Sequence, residues 1–246
     1  MTQKITVLFF SLFLASSSRA QAIDPIQIAT QEPGKFSINL SLSFLPYGRQ
    51  FIAPDNTLGI QQNYGFTLGI SVAYAIEKRF GVSGTAVGVF QLSRVFFSGQ
   101  DQISTLINAA GSVNFTYHLE SDSPFDPTLS LGFSYPWVIS AGVNARFIRD
   151  PVVIGGSLGI SKPLTSDGIL LNGSASVAFI ANERITLAGQ VSTEVPIGTL
   201  TFPISGLALR IGYTLNPDTL EEVGLSVTFS VSGDATRVGF SFDWNK

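Results

Sequence analysis

The sequence has 246 residues, of which 45% are hydrophobic and 13% are charged, and its formal net charge at pH 7 is −3. This acidic balance lacks the basic footprint of a nucleic-acid-binding protein, so no nucleic-acid partner is expected. The absence of cysteine excludes a disulfide framework, a lipid-anchored cysteine and a thiolate metal site.

The first 22 residues have the pattern of a secretory signal peptide. Lys4 provides the positive charge, and Ile5–Ala15 forms an apolar stretch that is too short to span a bilayer. Residues 20–22 (Ala-Gln-Ala) offer a small-residue cleavage site. We therefore expect export by the secretory route and cleavage after Ala22, so that the mature chain starts at Ile23.

The stretch from Asn63 to Ile76 alternates between large apolar and small residues with a period of two, which is the period of a β-strand. Its large residues are Tyr64, Phe66, Leu68, Ile70, Val72, Tyr74 and Ile76. At roughly 3.3 Å per residue, the two tyrosines lie about 33 Å apart along the strand. A tilt of about 40° reduces this to about 25 Å, the height of the apolar band on a membrane barrel. The pattern predicts a transmembrane strand with an aromatic residue at each rim.

The small residues of this stretch distinguish a membrane barrel from a soluble β-sandwich or jelly roll. A soluble sheet usually presents charged residues to water, whereas the second face here is built from glycine, serine, alanine and threonine. Such small side chains fit the inside of a curved wall, while the large apolar set faces lipid. Because backbone groups in lipid must all be paired, the sheet must close.

Taken in chain order, similar alternation begins near Lys35 and ends at Trp244, and it predicts twelve strands, with a range of 10–14, over residues 35–246. The fold class is therefore an all-β, closed, up-and-down antiparallel transmembrane β-barrel. A tight three-residue turn is predicted at residues 135–137 because the outward parity is the same before and after it. Short connections are predicted at 77–79, 120–126, 148–151, 181–184 and 216–219, and longer loops at 46–62, 94–102, 162–168 and 196–206. The short set is assigned to the periplasm and the longer set to the outside.

The chain resembles bacterial outer-membrane β-barrels in its signal peptide, its alternating strands and its aromatic C-terminal stretch Phe240–Trp244. In that class the last strand usually ends on the aromatic residue, whereas Asn245 and Lys246 follow here. The resemblance implies outer-membrane lipid and the barrel-assembly machinery as partners. Residues 150–159 (Asp-Pro-Val-Val-Ile-Gly-Gly-Ser-Leu-Gly) also resemble a segment of small barrels named for the meta pathway of phenol degradation, which implies a transporter for small, aromatic compounds.

Charged residues that face inward are the candidate site residues, because the lumen decides what such a barrel does. By parity these are Lys35, His118, Arg146, Glu194, Arg210, Arg237 and Asp243. Glu194 and Arg210 flank one loop and are expected to be diagonal neighbours. Lys35 and Asp243 are expected to meet where the first and last strands pair.

Two interpretations of these charges remain open. The pairs either hold the wall together and neutralise the lumen, or the three arginines Arg146, Arg210 and Arg237 bias a pore toward anions and polar solutes. His118 and Glu120 share a face, but no serine motif accompanies them, so an acyl-transfer site is not expected. No enzyme activity, cofactor or metal is predicted.

With small residues lining a lumen of intermediate width, the sequence predicts passive transport of small solutes. The alternative is a structural or adhesive barrel whose lumen is blocked. Candidate plugs are the irregular lead at Ile23–Gly34, which otherwise lies in the periplasm, and the Pro46–Gln62 loop.

Overall fold

The computed structural model describes residues 33–52, 58–97, 99–119, 124–165, 168–182, 184–198, 203–216, 221–232 and 235–246. Within these ranges every helix or strand is a β-strand, and no helix is long and apolar enough to cross a membrane. The strands are β1 (Phe36–Ile52), β2 (Leu58–Glu77), β3 (Phe80–Phe97), β4 (Gln100–His118), β5 (Phe125–Tyr135), β6 (Val138–Arg149), β7 (Val152–Pro163), β8 (Ile169–Asn182), β9 (Ile185–Ile197), β10 (Ile204–Asn216), β11 (Glu221–Ser232) and β12 (Ala235–Asn245). The predicted signal peptide and most of the predicted lead lie outside the described residues.

The strands form one closed barrel in which each strand pairs antiparallel with its sequence neighbours and β1 pairs with β12. The prediction of a closed up-and-down barrel of twelve strands is confirmed. Because the strand number is even, the start of β1 and the end of β12 lie at the same end of the barrel, which we call the terminal end. We call the other end the extended end.

Alternation places the large apolar residues on the outside and the small ones on the inside. In β2, Leu68 is 64% exposed whereas its neighbour Thr67 is 9% exposed. Near the terminal end, outward positions of nine strands carry aromatic residues: Phe36, Tyr74, Phe80, Tyr117, Phe125, Phe147, Phe179, Tyr213 and Trp244. Aromatic rings at this depth mark the boundary between lipid and water in membrane barrels.

The first four strands have 17 to 20 residues, whereas the other eight have 11 to 14. The prediction of loops at Pro46–Gln62 and Arg94–Gln102 is therefore wrong. The described parts of these segments continue β1 to Ile52, start β2 at Leu58, and leave a short connection between β3 and β4. Their polar composition does not break the strands because each hairpin still pairs its own backbone groups outside the apolar band.

The turn between β5 and β6 agrees with the prediction. Ser134 lies opposite Val138, so residues 135–137 form the three-residue connection. Trp137 has a φ angle of +36°, in the left-handed region that tight turns use.

The pairing between β1 and β12 ends at Phe44 and Phe240, although both strands continue toward the extended end. Ile38 exchanges two backbone hydrogen bonds with Lys246, so the even residues of β1 direct their backbone groups toward β12. Pro46 is the next even residue after Phe44, and it has no N–H to donate. The proline therefore explains why the hydrogen-bonded seam stops at this level.

Candidate functional site in the lumen

The inward faces of the strands enclose a cavity of about 600 Å³ to which all twelve strands contribute. Its wall is built mainly from hydroxyl, amide and very small side chains. Representative members from around the barrel are Ser43, Thr67, Thr85, Asn114, Ser130, Asn144, Ser157, Asn172, Ser192, Thr228 and Ser241. A wall of this kind offers hydrogen-bonding groups and leaves space for solute and water.

A buried ion cluster occupies the wall on β4, β5 and β6 toward the terminal end. Arg146 Nη2 donates to Asp126 Oδ2 at 2.7 Å, and both side chains are about one-tenth exposed. The second oxygen of Asp126 lies 2.9 Å from His118 Nδ1, and Thr128 Oγ1 lies 3.4 Å from the same nitrogen. His118 is thus oriented by a carboxylate that an arginine already compensates.

A second ion cluster lies on β10, β11 and β12. Arg210 binds Asp243 through two contacts, Nη2 to Oδ2 at 2.7 Å and Nε to Oδ1 at 3.3 Å, and it also contacts Glu222. Gly224 leaves room for this arrangement, because an added Cβ there would lie 2.5 Å from Arg210 Nη2 and 2.6 Å from Asp243 Oδ1. The guanidinium therefore lies flat against the wall, with two carboxylates around one positive charge.

Amide side chains extend the second cluster across the closing seam. Asn245 is fully buried, and its Nδ2 donates to Asp243 Oδ2 at 3.4 Å. Asn39, opposite Asn245 on β1, donates to Asn245 Oδ1. The first and last strands are thus joined inside the lumen by amide contacts.

The two clusters lie on different sides of the lumen, both toward the terminal end. The cross-strand row that contains Arg210 passes through Ala188, Ala178 and Val153 to Ile148, two residues from Arg146. None of the six cluster residues contributes to the wall of the cavity. Together they form a charged layer between the cavity and the terminal end: His118, Asp126, Arg146, Arg210, Glu222 and Asp243.

Among the described residues, two in the cavity wall are charged, Glu194 and Arg237. Glu194 is almost fully buried and lies opposite Asn172 on β8 and Ile204 on β10. The guanidinium carbon of Arg237 lies 5.0 Å from the centre of the Tyr47 ring, within the range of a cation–π contact.

Two contacts expected from the sequence are wrong. Arg210 lies opposite Ala188, which is six residues along β9 from Glu194. The expected contact fails because β10 begins at Ile204, so the connection between β9 and β10 is shorter than expected. Asp243 lies opposite Ser41 of β1, and Lys35 lies six residues before Ser41. The register of β1 and β12 therefore separates Lys35 from Asp243. Asp243 pairs with Arg210 instead, and Lys35 is exposed at the terminal end.

Sequence reasoning missed Asp126, Glu222, Tyr47 and Asn63 as lumen residues. The sequence predicts Asp126 and Tyr47 in connections, although both continue the inward parity of the strand beside them. Glu222 precedes the first outward residue that was assigned to β11, Val223. Extending the alternating patterns by a few residues finds Asp126, Glu222 and Tyr47, whereas Asn63 already lies at an inward position of the Asn63–Ile76 stretch and is uncharged. Within the described ranges, no group of three histidine, cysteine or acidic residues is placed to hold a metal ion.

Comparison with known proteins gives matches at the level of structure. No protein-family model matches the sequence, and no curated protein matches it. An outer membrane channel of the COG4313 group from Pseudomonas putida F1 is similar to this chain, with a TM-score of 0.64 and 8% sequence identity. The match covers 91% of this chain and 100% of that channel.

Two further solved structures share the fold with a TM-score of 0.57 and 8% identity. The match to a mutant of the monoaromatic hydrocarbon channel TodX covers 90% of this chain and 92% of that channel's chain. The match to the transport unit of the autotransporter AIDA-I from Escherichia coli covers 94% of this chain and 96% of that unit's chain. At these identities the likeness shows the fold, which is shared by channels with different cargo.

Proposed function

We propose that this protein is a passive channel for small solutes in the bacterial outer membrane. The observation that carries the proposal is the cavity of about 600 Å³ inside a closed barrel, with small polar side chains from all twelve strands in its wall. The apolar outer face and its aromatic residues support a membrane location. The predicted signal peptide supports export, and the similarity to outer membrane channels supports the choice of membrane.

Single-channel recording in planar bilayers tests this function. We expect discrete conductance steps from the refolded protein. Ser192→Trp places a large ring on the cavity wall and should lower the unit conductance, whereas Val191→Trp adds the same ring to the adjacent outward position and should leave it unchanged. A protein that folds, as judged by heat-dependent migration on gels, but gives no steps would contradict the channel function.

The alternative is a structural or adhesive barrel with a blocked lumen. One observation favours it: the side chain of Arg210 is only 4% exposed, so little of this guanidinium is open to the lumen at the charged layer. Deletion of residues 23–34 tests whether the lead blocks the lumen. Conductance that appears only after the deletion would support a plug.

Solute classes can be separated in the same system. If the lumen arginines bias the pore, the favoured solutes are anions. The resemblance of residues 150–159 to the small barrels named for the meta pathway of phenol degradation favours small aromatic compounds. Reversal potentials in a potassium chloride gradient test the first class. Uptake of phenol into liposomes that contain the protein tests the second, with empty liposomes as the control.

A further inference from the structure

A polar cluster lies on the inner face of β12, β1 and β2, on the extended side of the cavity. Continuing the β1–β12 register from the Phe44–Phe240 pair places Tyr47 beside Arg237, in agreement with the 5.0 Å cation–π contact. Tyr47 lies opposite Asn63 on β2. Arg237, Tyr47 and Asn63 therefore form one cross-strand row, beside the point where Pro46 ends the hydrogen-bonded seam.

Two hydrogen-bond donors in this row have no acceptor. Asn63 is fully buried, and its Oδ1 accepts from Gln61 Nε2 at 3.2 Å and from Gln91 Nε2 at 3.4 Å. Its Nδ2 has no hydrogen-bond partner, and neither does the buried Nε of Arg237. Buried polar groups are nearly always paired, so two unpaired donors in one row make this row a candidate site for a ligand that brings acceptors.

Charge distinguishes Arg237 from the other two lumen arginines. Arg146 and Arg210 are each bound to a carboxylate in the charged layer. Arg237 makes no ion pair with any carboxylate in the part of the chain that the structure describes. It is also the only basic residue in the described cavity wall, and the acidic residue of that wall, Glu194, makes no ion pair with it.

We infer that Arg237 and Asn63 bind the carboxylate of a small organic acid at the extended side of the cavity. Neighbouring strands lie about 4.8 Å apart, so the guanidinium over Tyr47 lies between its own strand and Asn63. A carboxylate placed there accepts from Arg237 with one oxygen and from Asn63 Nδ2 with the other, and charge-assisted bonds of this kind are the strong ones. Tyr47 holds the guanidinium in position by its ring.

The inference rests on the proposed function for access of the solute to the lumen, but its test can be made without a bilayer. Gluconate carries a carboxylate, whereas glucose is an uncharged cyclic hemiacetal, and their binding to the refolded full-length protein in detergent is measured by calorimetry. We expect gluconate to bind and glucose not to bind. Arg237→Gln should weaken gluconate binding at least tenfold, and Arg237→Lys should recover part of it.

Two more variants make the test specific. Arg94→Gln removes the same charge from an exposed arginine that is bound to Asp101, and it should change gluconate affinity less than twofold. Asn63→Asp keeps the oxygen that accepts from Gln61 and Gln91, but it replaces the free donor by a negative charge and should abolish binding. Equal affinity in Arg237→Gln, or equal binding of glucose, would overturn the inference.

Failure of the channel function and failure of this site can be told apart. A protein that binds gluconate through Arg237 but gives no conductance steps contradicts the channel and leaves the carboxylate site standing. A protein that conducts but does not bind gluconate contradicts the site alone. Tighter binding of inorganic phosphate than of gluconate would overturn the assignment of a carboxylate, because two donors match two oxygens.

Discussion

Asp126 on β5 lies directly opposite Arg146 on β6, and the two form a buried ion pair with Nη2 and Oδ2 2.7 Å apart. Asp126→Asn would remove the carboxylate that pairs with this buried guanidinium. Removal of one partner from such a pair costs about 3–5 kcal/mol. We expect the free energy of unfolding, measured by urea titration in detergent micelles, to fall by that amount.

The control for this prediction replaces both partners. Arg146→Met combined with Asp126→Leu removes the two charges together and should recover most of the lost stability, because apolar residues of similar volume can replace a buried ion pair. If the single variant Asp126→Asn lost less than about 1 kcal/mol, the pair would be solvated rather than buried.

Gly224 is predicted to be required for the second ion cluster. In Gly224→Ala the new methyl group would lie 2.5 Å from Arg210 Nη2 and would force the guanidinium off the wall. We expect a loss of about 1–3 kcal/mol in the same unfolding assay, as for other overpacked sites. Gly88→Ala is the matched control, since the nearest atom to its new Cβ is the Leu68 carbonyl oxygen at 4.0 Å.

Depth in the membrane should decide the cost of a charge on the outer face. Leu68 and Ile103 are 64% and 66% exposed. Leu68 lies in the middle of β2, whereas Ile103 lies near the start of β4, close to the extended end of the β3–β4 hairpin. Leu68→Arg should destabilise the barrel in lipid vesicles by about 2–4 kcal/mol and Ile103→Arg by less than about 1 kcal/mol. Equal effects would contradict the placement of the apolar band.

The hairpin of β3 and β4 carries an exposed ion pair near the extended end, in which Arg94 Nη2 lies 2.6 Å from Asp101 Oδ2. Hydrogen bonding to Arg94 holds the pKa of the Asp101 carboxyl below its ordinary value. The stabilisation is therefore present above the ordinary aspartate pKa and is lost as the pH falls through the lowered one. Carbon-13 NMR of the carboxyl should record a low pKa that rises in Arg94→Gln. An unchanged value in that variant would refute the pairing.

Strand number and strand faces could be predicted because they depend on local alternation. Leu68 and Thr67 are neighbours in sequence, and the period of two alone assigns one to lipid and the other to the lumen. The charged contacts could not be predicted in the same way. Whether Glu194 or Ala188 faces Arg210 depends on how many residues form the connection between β9 and β10, and polar composition locates such ends only to within a few residues.

The sequence by itself determined that this chain is a closed membrane barrel of about twelve strands, because the side chains that face lipid and those that face the lumen must differ at every second position. Only the tertiary structure decided which charges compensate one another. Register and closure bring Arg210 to Asp243, 33 residues away, and Tyr47 to Arg237 across the seam, while Arg237 makes no ion pair in the described part of the chain. Contacts between distant strands depend on the register of the whole sheet, which no local pattern encodes.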